Sequence, residues 1–144
     1  MKFIKKIKKH IQEVLKIKIT PHDVAWGFAL GTLIALLPTF GFGIFIGLLL
    51  LLIFEKISKI SMLLAFAVWN PFVLIPIYAL SYRVGIYVTA STPLESYRIE
   101  LLNQFFTIAK VFLIGNVIVT LVFSTISYFI VYYLYKNYLK KVLK

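Results

Sequence analysis

The sequence predicts an all-α, polytopic integral membrane protein with broken or re-entrant helical hairpins and interfacial amphipathic helices. Three observations predict it. Of 144 residues, 61% are hydrophobic and only 15% charged. Ordinary soluble domains run about 45–50% apolar and about 25% charged. Residues 24–54, 60–82 and 111–135 form uncharged runs of 31, 23 and 25 residues. About 20 apolar residues suffice to cross a bilayer as a helix. Two of these runs are interrupted near their middles, by Pro38 and two glycines in one and by Asn70-Pro71 in the other.

The net charge of +11 comes from 16 basic and 5 acidic residues. Lys2, Lys5, Lys6, Lys8, Lys9, Lys16 and Lys18 precede the first run, and Lys136, Lys140, Lys141 and Lys144 follow the last. Basic residues that flank apolar spans mark the cytoplasmic side and attract anionic headgroups. The partners expected are therefore membrane lipids, not nucleic acid. The expected location is the cell membrane, with both termini cytoplasmic. That demands an even number of full crossings, so one of the three long runs should enter and return. No signal-peptide cleavage is expected, because the apolar run starts late and is too long. With no cysteine in the chain, disulfide, zinc-thiolate and cysteine-nucleophile chemistry are excluded.

Residues 1–19 read as a basic amphipathic helix, with Ile4, Ile7, Ile11 and Val14 at helical spacing. Two roles fit it: an anchor lying in the headgroup layer, or a solvated cytoplasmic extension. The helical membrane domain covers 20–135, and 136–144 is a basic cytoplasmic tail.

Thr20-Pro21-His22-Asp23 opens the first broken segment, 20–54, as a helix start. Thr20 caps, Pro21 suits the first turn and Asp23 complements the dipole. As one helix, 24–54 would be about 46 Å long, against a hydrocarbon core of about 30 Å. Pro38, Gly41 and Gly43 therefore predict a sharp break or hairpin. Gly27 and Gly31 before it, and Gly43 and Gly47 after it, form small-residue stripes for close helix packing.

In the second broken segment, 60–90, a helix should end near Trp69 and another start at Asn70-Pro71. Pro76 is placed to kink the second arm. Residues 92–110 repeat the start design at Thr92-Pro93-Leu94-Glu95 and read as an interfacial helix. Residues 111–135 are the cleanest span. There Asn116, Thr120, Ser124 and Ser127 share one face, which should turn inward and hydrogen-bond to other helices. Tyrosines near its lysine-rich end fit an interfacial belt.

Non-helical backbone at membrane depth is tolerated only where protein buries it or it lines a cavity. Paired broken segments are a pointer to a transporter binding site. Half-helix N-termini offer partial positive charge and bare amides, which suit anions. The candidate substrate-binding residues are thus Thr39, Gly41, Asn70 and Pro71 at the breaks, with Arg83 beyond. Arg83 either snorkels to the interface or meets an anionic headgroup. Breaks that serve only bundle packing are the plain alternative. His10 and His22 have no second ligand at useful spacing, so no metal or cofactor is expected. The three uncharged runs contain no Asp, Glu, His or Lys, so no catalytic residues are expected and the protein is read as a non-enzyme.

These residues resemble a prokaryotic membrane family, domain of unknown function 2062. The resemblance is carried by TPHDVAWGFALGTLIALLPTFGFG and VWNPFVLIPIYALSYRVG. Pro21, Gly27, Gly31, Pro38, Gly41, Asn70, Pro71, Pro76, Tyr82 and Gly85 sit at the family's matching places. It covers about residues 20–89, and the rest to about Tyr135 in hydropathy only. Two departures stand out: the family's Asn between the broken segments is missing from Glu55-Lys56-Ile57-Ser58-Lys59-Ile60, and its Thr after the Asn-Pro is Val73. Any ligand contact from those groups would be lost here. Relatives fused to or encoded beside glycosyltransferases and lipid-modifying enzymes imply lipid-linked substrates by association. Two functions are expected: a transporter or flippase for an anionic, lipid-linked substrate, or a non-catalytic scaffold or accessory for a lipid- or glycan-modifying enzyme. At this length a pathway implies a homo-oligomer.

Overall fold

The structure, a computed structural model, describes residues 19–39, 41–89 and 100–143. All regular elements among them are helices: α1 (Pro21–Leu36), α2 (Gly43–Ile53), α3 (Lys59–Val68), α4 (Pro71–Thr89) and α5 (Glu100–Val142). Two of them, α4 and the 101–142 stretch of α5, are long and apolar enough to cross a membrane. The basic helix expected over 1–19 and the Thr92-led start lie outside the described residues.

Each helix end has a local cause. The α1 start is a capping box: Thr20 Oγ1 accepts from the Asp23 amide at 3.2 Å, and the Thr20 amide donates to Asp23 Oδ2 at 2.9 Å. At its other end Leu37, forced extended by Pro38, takes φ −68° and ψ 142°. Gly41 then reverses the chain at φ +93°, a conformation that L side chains rarely adopt. The second break falls as expected, with Trp69 closing α3 and Asn70 opening α4.

Contact pairs set the directions. Ser61 Oγ donates to the Val24 carbonyl (2.6 Å) and Trp69 Nε1 to Thr32 Oγ1 (2.9 Å), so α3 runs parallel to α1. Ser124 Oγ donates to the Ala29 carbonyl (2.8 Å) and Asn116 Nδ2 to the Leu36 carbonyl (3.1 Å), so α5 runs antiparallel to α1. α2 folds back along α1, with Gly43 beside Ile34 and Gly47 against Phe66 and Met62. Its far end returns to the start of α1, where the Ser58 amide donates to the Asp23 carbonyl. α1 and α2 are thus a hairpin, and α3 and α4 together form one broken rod. The start of α1 and the lysine-rich end of α5 lie at the same end of the bundle, where His22 meets Tyr128 and Val24 lines one pocket with Val131, Leu134 and Tyr135.

Small residues allow these approaches. A Cβ on Gly27 would stand 2.6 Å from the Ser58 carbonyl oxygen, and one on Gly31 2.8 Å from that of Met62. A Cβ on Gly115 would collide with the Ser81 carbonyl, and one on Gly85 with that of Val111, so α4 and α5 cross backbone to backbone. The stripe on α5 faces inward as expected: Asn116, Thr120, Ser124 and Ser127 are all buried. Large apolar side chains, among them Phe45, Leu52, Phe72 and Leu101, face outward. Polar side chains share the interior with apolar ones while many large apolar ones face outward, unlike the usual order in water-soluble proteins.

One expected boundary is absent. Residues 100–110, read as part of a separate interfacial helix, run without interruption into the span as the 43-residue α5. The physical reason is that 100–110 contains neither proline nor glycine, and charge alone does not stop a helix.

Candidate functional site

Both breaks line one cavity. Its volume is about 480 Å³, and Pro38, Thr39 and Gly41 from the first break face Trp69, Asn70 and Pro71 from the second. Such a volume lies in the range of small-molecule sites. The walls are mostly apolar: Ala35, Leu37, Ile44, Phe66, Ala67 and Leu74 complete them with Gly43 and Tyr78.

Asn70 is built into the start of α4. Its Oδ1 accepts from the Phe72 amide at 3.0 Å and the Val73 amide at 3.2 Å, while its carbonyl accepts from Val73 and Leu74 at 3.0 Å. Pro71 has no amide hydrogen to offer. The bare amides expected here for an anion are therefore all occupied, because asparagine caps its own helix first. Thr39 differs from expectation too. Its carbonyl accepts from the Phe42 amide at 2.9 Å, but α2 starts at Gly43 with no side-chain cap. Thr39 opens a turn rather than a half-helix.

Arg83 is exposed and does not line the cavity. Pro71, Leu74 and Tyr78 recur at three- and four-residue spacing on one face of α4, whereas position 83 is rotated about 140° from Tyr78. Pro76 is exposed within α4 and Gly27 and Gly31 serve the α1–α3 contact, away from the cavity.

Three supporting residues went unassigned to the site by the sequence reading. Tyr78 lies two turns along α4 from Asn70, a spacing that was available as a signal. Trp69 ties the end of α3 to Thr32 and sets its ring edge-on to Phe123, with centroids 5.7 Å apart. Asn116 donates to the carbonyl of Leu36 at the edge of the first break, and to Ser81 Oγ at 3.4 Å. Nothing local foretells a partner 80 residues away.

Among the described residues, no group of three or more His, Asp or Glu could hold a metal. His22 stands far from the cavity at the other end of α1, where the Tyr128 hydroxyl lies 2.6 Å from its Nδ1.

Comparison with known proteins bears on the whole chain. The model of one family, uncharacterized proteins conserved in bacteria (DUF2062), matches residues 4–144. The chain belongs to that family. The DUF2062 match extends past both sides of the 20–89 stretch that carries the motifs, and includes α5. No curated protein and no solved structure is detectably similar to this DUF2062 chain.

Proposed function

We propose that this DUF2062 protein resides in the cell membrane with both termini cytoplasmic. There it takes an amphiphilic, lipid-linked substrate into the cavity between its two breaks and moves it between leaflets. The observation that carries the reading is that both breaks, 31 residues apart at Thr39 and Asn70, line one cavity of about 480 Å³. Irregular backbone inside a membrane demands such a cavity or burial. The outward-facing large apolar side chains and the two span-length helices support the membrane setting.

In this reading the α3–α4 rod and α5 each cross, and the α1–α2 hairpin dips in and returns. Among the described residues, Lys56, Lys59, Lys136, Lys140 and Lys141 then belong to the end where α1 starts and α5 finishes, and Arg83 and Lys110 to the other. The positive-inside rule makes the first end cytoplasmic. Phe123 is the midpoint of the uncharged run 111–135, and Trp69 packs on it. That supports a mid-depth position for the second break. A charged headgroup would meet its cations outside the cavity, at the basic end, since among the described residues no Lys, Arg or His lines it.

The test is transbilayer movement of a fluorescent phospholipid or polyprenyl-phosphate analogue in vesicles reconstituted with the protein. Movement above that of protein-free vesicles is expected, reduced severalfold by Asn70→Ala and unchanged by Arg83→Ala. No movement with folded protein contradicts the reading. A second reading, a non-catalytic scaffold for a lipid- or glycan-modifying enzyme, is favoured by the outward apolar faces of α2 and α4, such as Phe45, Leu52, Phe72 and Ile75. A second copy of the chain would cover the same faces in a homo-oligomer. Purification from native membranes in mild detergent separates these: a stoichiometric enzyme partner supports the scaffold.

A further inference from the structure

We infer that the group recognised inside the cavity is an ester carbonyl of an acyl lipid, not a phosphate. This rests on the cavity reading above and narrows its substrate.

An accounting of hydrogen-bond donors carries the inference. Asn70 Oδ1 is taken by two amides of α4, so the side chain has only Nδ2 to offer, which donates and cannot accept. The Nδ2 of Asn70 and the hydroxyls of Thr39 and Tyr78 have no hydrogen-bond partner among the described residues. Every side-chain polar atom sealed in the interior does have one. These three atoms are therefore reachable, and their residues line the same cavity. In a bilayer interior no water meets an unpaired donor, so each is costly to leave unsatisfied. A ligand that brings acceptor oxygens removes that cost.

Charge then selects the acceptor. Among the described residues no cationic side chain lines the cavity, and the Phe72, Val73 and Leu74 amides are bonded within the cap. A phosphate entering it would be desolvated with nothing to balance its charge. A neutral carbonyl costs far less to desolvate. A diacyl lipid presents two such carbonyls on chains that suit walls made by Ile44, Phe66 and Leu74.

The experiment is native mass spectrometry of the full chain in detergent. Its probes are a diacylglycerol, the dialkylglycerol ether of equal chain length, and a polyprenyl phosphate. The diester should bind about tenfold more tightly than the diether, as one good hydrogen bond allows. Tyr78→Phe, which keeps the ring, and Asn70→Ala should each bring diester binding down toward that of the diether, shrinking the preference. Equal binding of ester and ether, with both weakened by the cavity-filling Ala67→Trp, overturns the carbonyl assignment but leaves the cavity reading standing. Tighter binding of the polyprenyl phosphate also overturns it. No binding of any probe by folded protein removes the cavity reading as well.

Discussion

Asn116 joins three helices through one side chain. It is fully buried, and its Nδ2 donates to the Leu36 carbonyl of α1 and to Ser81 of α4 while Thr120 donates to its Oδ1. Polar contacts between membrane helices are worth about 0.6 kcal/mol on average and up to about 1.7. Asn116→Ala should therefore lose about 1 kcal/mol in an SDS or thermal unfolding titration, and Asn116→Leu more, because it also overfills the site. A second residue-scale prediction concerns acid. The Thr20 hydroxyl, 2.7 Å from Asp23 Oδ2, and then the Thr20 amide hold the Asp23 carboxyl below its ordinary range. A depressed carboxyl stabilises the fold fully above its unfolded value, about 3.9. That contribution is lost as pH falls through the lower folded value. Unfolding followed between about pH 5 and pH 2 should show this acid limb, and Asp23→Asn should flatten it. The two caps, at Thr20 and Asn70, were legible because a cap needs only residues two or three positions apart. The partner of Asn116 was not, although the inward turn of its stripe was.

At the scale of elements, proline and glycine determine where helices stop, and they act locally. Both breaks were therefore legible to within a residue or two. The boundary expected at Lys110 was misplaced because it was drawn from polarity. Glu100 and Lys110 change what a helix faces without interrupting its hydrogen bonds. Continuity across Lys110 is measurable with paired spin labels, since the chain has no native cysteine. Gln104→Cys and Ile118→Cys should report about 21 Å along α5 at 1.5 Å per residue. A clearly shorter separation would mean a bend and restore an interfacial helix. The close crossing of α4 on α5 at Gly85 and Gly115 was only half legible, through the Gly85 of the family motif.

At the scale of the whole molecule, the proposed topology answers the parity problem posed by three long runs and two basic ends. The α1–α2 hairpin brings the chain back to the level of Asp23 before the α3–α4 rod begins. The same geometry brings Thr39 and Asn70 to one cavity and leaves Arg83 on another face. None of that was readable from one dimension, because it depends on how α3 docks against Gly27 and Gly31. The proposed topology has two crossings and one return. Thiol accessibility from each side of intact cells tests this most directly, with single cysteines at Lys56, Lys140 and Leu101. Lys56→Cys and Lys140→Cys should react only from the cytoplasm and Leu101→Cys only from outside. Labelling of Lys56→Cys from outside would mean that residues 24–54 cross the membrane, and would contradict the account.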